Sequence, residues 1–172
     1  MKNKIFPFFL TIIFLLVFFI FYKGLKNSNI YVPKLDHKGD IPIFKAKIFE
    51  TDTEINSEVI FKKNKFYLLN IWASWCLPCR DEHKFLLKLK KNENLEIVGL
   101  NYKDKRKNAN SFLKEFKNPY DIIILDDEGT IAIEWGAYGV PESFLIYDNK
   151  ILKKIIGPIN QDILAEIKKS IK

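Results

Sequence analysis

The chain is short of the residues that carry most thiol, metal and phosphate chemistry. Its 172 residues include two cysteines, two histidines and one methionine. Thiol chemistry is therefore confined to Cys76 and Cys79, two residues apart in Cys76-Leu77-Pro78-Cys79. A structural zinc site normally needs four Cys, His or carboxylate ligands. Cys76, Cys79 and His83 could meet on one helix face, but His37 falls in a linker and makes a poor fourth ligand. Arginine is scarce as well. Arg80 and Arg106 are the only two, so the net charge of +7 rests almost wholly on lysine. The basic run Lys103 to Lys107 is broken by Asp104 and has no aromatic residues interleaved at a stacking spacing. It reads as a solvated face, not a nucleic-acid patch. No internal repeat and no long Gly/Ser or Pro-rich tract is present, which argues against a disordered region. Apolar residues make up 48% of the chain, enough for one domain with a sizeable core plus an appendage.

Charge is missing altogether from Ile5 to Tyr22, IFPFFLTIIFLLVFFIFY. A helix crossing a bilayer needs about 20 apolar residues, with a range of about 17 to 25. Phe21 and Tyr22 suit the interface, and Pro7 sits in the first turn, where a missing N–H costs little. A cleaved signal peptide would want a small-x-small site next, and Lys23-Gly24-Leu25-Lys26-Asn27 offers none. The expectation is an uncleaved single-pass anchor over 5–22, a linker over 23–40 and a folded domain over 41–172. Lys2 and Lys4 on one side balance Lys23 and Lys26 on the other, so charge alone leaves the orientation open.

Beyond the linker, Phe44 to Glu50 and Ile55 to Phe61 alternate as in a β-hairpin. Phe66 to Ala73 is a near-continuous apolar run, as in a strand buried on both faces. Arg80 to Lys91 carries Phe85, Leu86 and Leu89 at helical spacing. A strand at Leu95 to Tyr102, a helix at Ala109 to Phe116, a strand at Ile122 to Leu125 and a short helix at Thr130 to Trp135 follow. Ser143 to Tyr147 and Ile151 to Ile156 flank the turn Asp148-Asn149-Lys150, and Gln161 to Ile171 closes the chain as a helix. The pattern predicts an α/β sandwich with a mixed central sheet.

In that pattern the cysteines sit where a buried strand gives way to a helix. A structural disulfide across so short a loop would constrain the unfolded chain little. A helix start, by contrast, offers unpaired N–H groups and the positive end of the dipole, which stabilise a thiolate. Cys76 is therefore expected to be the exposed attacking sulfur. Cys79, one turn further in, is expected to resolve. Trp75 either shields the sulfur or packs. Gly139-Val140-Pro141-Glu142-Ser143 precedes a strand, where a proline is either an ordinary turn residue or a cis peptide. In the second case Pro141 would present unpaired backbone groups to an extended substrate beside Cys76. Asp81, Glu82 and Glu142 are acidic, and any carboxylate near the sulfurs would raise thiol pKa values and favour a reducing couple.

Three segments carry a family resemblance. LLNIWASWCLPCRDEHKFL, VGLNYKDKRKNANSFLKEFKNPYD and GAYGVPESFLIYDNKIL, in that order, resemble the DsbE/CcmG family. These are membrane-anchored thioredoxin-like proteins of bacterial cytochrome c maturation. The resemblance covers roughly residues 40 to 172. It implies a thioredoxin fold, a short cytoplasmic N-terminus over 1–4, an inner-membrane anchor and a periplasmic catalytic domain. It implies a redox-active Cys76–Cys79 pair as the only redox group, with no cofactor or metal. Trp75 and Pro78 would shape the site, Pro141 would be the cis-proline, and Glu82 and Glu142 would set reactivity. The substrate implied is apocytochrome c or a CcmH-type thiol partner, and the electron donor a DsbD/CcdA-type membrane protein. Val140 and Ser143 depart from the usual small residue and threonine. The alternatives are a general envelope reductase of TlpA/ResA type, and a copper or zinc chaperone using Cys76, Cys79 and His83.

Overall fold

A computed structural model describes residues 5–26 and 39–171. Residues 1–4 and most of the expected linker lie outside the described residues. The chain divides into two units, Met1–Leu35 and Asp36–Lys172. In the first, a helix runs over Ile5–Lys26 (α1). It contains an 18-residue stretch, Phe6–Lys23, long and apolar enough to cross a membrane. The helix continues four residues past the expected end. Lys23, Leu25 and Lys26 are good helix formers, and extending a helix costs far less than starting one.

The second unit is a seven-stranded mixed sheet with helices on both faces. Its strands are β1 (Lys45–Ile48), β2 (Glu54–Asn56), β3 (Phe66–Trp72), β4 (Leu95–Tyr102), β5 (Ile122–Asp126), β6 (Glu142–Tyr147) and β7 (Lys150–Ile156). Its helices are α2 (Ser57–Ile60), α3 (Leu77–Leu89), α4 (Arg106–Phe116), α5 (Thr130–Glu134) and α6 (Gln161–Ser170). The strand order is β2-β1-β5-β4-β3-β6-β7. Strands β3, β4 and β5 are parallel, as strands joined by helices should be. The flanking strands are antiparallel on both sides. Asp148 and Asn149 both take positive φ, the two-residue turn that suits a hairpin.

The expected strand at Ile55 to Phe61 is a correction. Only Glu54–Asn56 pairs with β1, and Ser57–Ile60 turns into α2. Ser57 is buried, with its Oγ accepting the Phe44 N–H, and Ile60 and Phe61 tuck under Trp135. That tertiary packing outweighs the local alternation.

Strand β3 is the middle of the molecule. Its Leu68 and Trp72 join one core with Leu86 and Leu89 of α3, Phe112 of α4 and Leu164 of α6. Its Tyr67, Leu69 and Ile71 join the other, with Phe61, Trp135 and Ile131. Each fully buried Leu or Ile contributes about 1.5–3 kcal/mol relative to exposure. Gly99 of β4 lies beneath Trp72 and Tyr120, where a Cβ would stand 2.9 Å from both. The segment Gly39–Ile41 pairs with the first residues of β7. That is the end of the sheet opposite the C-terminal end of β3, since β7 runs from Tyr147's partner Lys150 towards Glu142's partner Ile156.

Candidate active site

Strand β3 delivers the cysteines. Its last residue, Trp72, is followed by Ala73-Ser74-Trp75, and Cys76 is the N-cap of α3. Helix α3 starts at Leu77, three residues before the expected Arg80. Pro78 lies in its first turn, where no intrahelical N–H is needed. Cys76 and Cys79 are joined in a disulfide. The Cys79 N–H donates to the Cys76 sulfur at 3.1 Å. The sulfur of Cys76 thus receives an N–H from the start of the helix, which favours its thiolate once the bridge opens.

The expected exposure of Cys76 needs correction. The residue is only 4% exposed and Cys79 2%. What surrounds them is open: Trp75, Leu77 and Pro78 are exposed. The indole of Trp75 donates from Nε1 to the Lys103 carbonyl at 3.0 Å. The β4–α4 loop also holds Ser74. Asp104 accepts from the Ser74 N–H at 2.6 Å and from its Oγ at 2.8 Å. Asp104 takes Asn101 Nδ2 and the Lys105 N–H as well. In the sequence Asp104 is only a break in a basic run; in the structure it clasps the turn that leads to the nucleophile.

Glu82 is not a surface acid. It is fully buried, one helical turn after Cys79. Its Oε1 accepts from Asn70 Nδ2 at 2.9 Å and its Oε2 from the Ile159 N–H at 2.8 Å. The amide of Asn70 also donates to Ser143 Oγ at 3.0 Å, and its Oδ1 accepts from the Tyr120 hydroxyl at 2.9 Å. Burial pushes the Glu82 carboxyl up to about 7, while the Ile159 N–H and the Asn70 amide act to lower it. Burial, with the Glu82 charge second, raises Tyr120 well above the usual phenol range. Asp81, its neighbour in sequence, faces solvent.

Glu142 is buried too, but its charge is taken up. The Lys154 ammonium, 5% exposed, lies 2.8 Å from Glu142 Oε2. That contact is an ion pair without hydrogen-bond alignment. Glu142 Oε1 accepts the N–H groups of Tyr138 and Gly139 at 2.7 and 3.2 Å. Glu142 pairs with Ile71 across β6 and β3, so Pro141 flanks the C-terminal end of β3 from which the cysteines emerge. The Val140–Pro141 peptide is cis. The Pro141 carbonyl accepts the Gly157 N–H at 3.0 Å. Among the described residues, neither the N–H nor the C=O of half-buried Val140 has a hydrogen-bond partner.

His83 does not join the cysteines in a metal site. It is buried, and its Nε2–H donates to the Lys117 carbonyl at 2.7 Å. Its ring sits edge-on against Phe112 and Phe116. Burial lowers its pKa below the ordinary imidazole value. Among the described residues no group of three His, Cys, Asp or Glu could hold a metal. The histidine ties α3 to the end of α4.

Four participants escape the sequence reading: Asn70, Tyr120, Asp104 and Lys154. Asn70 left a signal, as the one polar residue inside the buried run FYLLNIW. Lys154 left none, because one more lysine in KILKKII looks like an edge strand facing water.

Comparison with known proteins agrees with this geometry. Residues 38–170 match the model of the redoxin family. The chain is 36% identical over 127 residues to the thiol:disulfide interchange protein DsbE of Escherichia coli K12, covering 73% of this chain and 68% of that one. It is 51% identical over 105 residues to the thiol:disulfide interchange protein CycY of Rhizobium leguminosarum bv. viciae. That match covers 60% of this chain and 56% of CycY, so the chain spans little more than half the length of that relative. Among solved structures, the thioredoxin domain of a thiol-disulfide oxidoreductase from Bacteroides vulgatus superposes with a TM-score of 0.67 at 19% identity, over 80% of this chain and 99% of that one. StoA from Bacillus subtilis gives a TM-score of 0.58 at 26% identity, over 74% and 97%. With a thioredoxin fold, a bridged Cys76–Cys79 pair at the start of its helix and these relatives, the chain belongs to the redoxin family and, within it, to the DsbE/CcmG thiol:disulfide interchange oxidoreductases.

Proposed function

We propose that the chain is a membrane-anchored reductant of polypeptide disulfides in cytochrome c maturation, working on the periplasmic side of a bacterial inner membrane. The observation that carries this reading is the Cys76 sulfur at the N-terminus of α3, holding the Cys79 N–H at 3.1 Å and flanked by the Val140–Pro141 segment. In the dithiol form the Cys76 thiolate attacks one sulfur of a substrate disulfide. The substrate disulfide breaks, a mixed disulfide forms, and the other substrate sulfur leaves as a thiolate. Cys79 then gives its proton to the Glu82 carboxylate, which lies on the same helix one turn away and titrates near neutrality. The Cys79 thiolate attacks Cys76, and the second substrate thiolate leaves and takes up a proton. The chain ends as the Cys76–Cys79 disulfide, two electrons poorer. A DsbD/CcdA-type membrane donor restores the dithiol, and the cysteine pair is the only redox group required.

An extended substrate segment would lie against Val140, whose free N–H and C=O supply a short stretch of strand-like pairing. Trp75, Leu77 and Pro78 offer the apolar surround. Above pH 7 the ionised Glu82 disfavours a second negative charge at the sulfurs, which suits a restrained reductant. Helix α1 supplies the single-pass anchor, with 1–4 on the cytoplasmic side and the linker following Lys26. The substrate is apocytochrome c, or a CcmH-type thiol partner, reduced before haem attachment at C-x-x-C-H.

Trapping tests the reading. Cys79→Ala cannot resolve, so it should accumulate a Cys76-linked mixed disulfide with a c-type apocytochrome or a CcmH-type protein. A trapped set spread over unrelated envelope proteins would instead support a general reductase of TlpA/ResA type.

A further inference from the structure

We infer that Lys154 is a specificity-determining residue, through a buried ion pair with Glu142 that shapes the substrate-facing loop 136–141. This rests on the reading that a polypeptide lies against Val140. Beyond the bonds of the Gly136 and Ala137 N–H groups to the Ile133 and Ala132 carbonyls and of the Gly157 N–H to the Pro141 carbonyl, the polar contacts of the loop converge on the pair. Lys154 Nζ donates to the Gly136 carbonyl at 2.6 Å and lies 4.3 Å from the centre of the Tyr138 ring. The same ammonium meets Glu142 Oε2 at 2.8 Å. The other carboxylate oxygen takes the N–H groups of Tyr138 and Gly139. The loop is thus wrapped around two opposite charges, with both side chains 5% exposed or less.

The chemistry explains why a charge pair holds this loop. Gly136 takes positive φ, and the loop runs straight into Pro141, which has no N–H to donate. Packing alone would leave the Gly136 carbonyl and the N–H groups of Tyr138 and Gly139 without these partners. The Lys154–Glu142 pair satisfies one carbonyl and two N–H groups at once. Among the described residues the N–H and C=O of Val140 have no hydrogen-bond partner, so the pair holds the segment that leads to Val140 without engaging those two groups. Lys154 is opposite Phe144 in β7 and does not belong to the CxxC helix, so it acts on the loop and not on the sulfurs. The pair therefore governs how a polypeptide is gripped, and has little influence on a small disulfide that needs only the Cys76 sulfur.

Removing one partner of a buried pair leaves the other uncompensated, which can unfold a protein. The test therefore uses two full-chain variants in detergent, Lys154→Met and Glu142→Gln/Lys154→Met, the second burying no charge at this place. Each reduced protein is mixed with a peptide containing a C-x-x-C-H disulfide and, separately, with oxidised glutathione. The ratio of the two rate constants should fall about tenfold in both variants, through a raised KM for the peptide. An unchanged ratio in the folded double variant would overturn the inference, as would equal losses on both substrates. If the wild-type chain itself fails to reduce the peptide, the polypeptide-reductase reading fails instead.

Discussion

Glu82 shows how much a single buried residue can do to pH dependence. Its carboxyl rises from the ordinary 4.5 to about 7 because burial disfavours the charged form. Between those values the folded chain keeps a proton that the unfolded chain releases. The stabilising contribution is fully present below 4.5 and is lost as pH rises through 7, about 3 kcal/mol in all. His83 has the opposite sign, since burial depresses its pKa and protonation at low pH favours the unfolded chain. Comparing Glu82→Gln with the wild type cancels the histidine. Raising the pH from about 5 to about 8 should shift their difference in urea-unfolding free energy by about 2–3 kcal/mol in favour of the variant. A difference that stays flat would mean that Glu82 titrates alike folded and unfolded. At this scale Cys76 and Cys79 were legible, because helix-start chemistry follows from local spacing. The burial of Glu82 and Glu142 was not, because it depends on Asn70, Ile159 and Lys154, which lie on other elements of the fold.

Among the elements, the β4–α4 loop matters most to the site. Asp104 gathers the Ser74 N–H, the Ser74 hydroxyl and the Asn101 amide. Two residues on, Arg106 pairs with Asp52 at the surface, with 37% and 60% of those side chains exposed. The two interactions should differ sharply. Asp104→Ala strands several partly buried donors and should lower stability by about 2 kcal/mol, whereas Arg106→Ala should cost less than about 0.5 kcal/mol. Urea midpoints of the two variants decide this, and equal shifts would remove the special standing of Asp104. Strands β3 and β4 were legible almost to the residue, since a strand buried on both faces is apolar throughout. The start of α3 and the helix α2 were missed. Cys76-Leu77-Pro78 has no apolar periodicity to announce a first turn, and α2 follows from Ser57 capping Phe44 across the hairpin.

For the whole molecule, α1 and the redox domain are separate units, and each can be tested by itself. The full chain should remain in the membrane pellet after an alkaline carbonate wash, while a chain beginning at Asp36 should be released. Release of the full chain would remove the anchor from the reading. The sequence by itself determined the anchor-length helix, the mixed α/β sheet and the identity of the sulfur pair. All three follow from local pattern: an uncharged run of membrane length, alternating strand and helix periods, and the only two cysteines the chain has. Only the tertiary structure decided what stands around that pair. It turned Glu82 and Glu142 into buried groups with different partners, sent His83 to α4, and made Asp104 and Lys154 braces for the two loops that flank Cys76. The physical reason is that a polar side chain's role is set by whether it is desolvated and by which donor or charge meets it there. Those partners come from other strands and loops, 12 to 77 residues away, brought together only when the sheet closes.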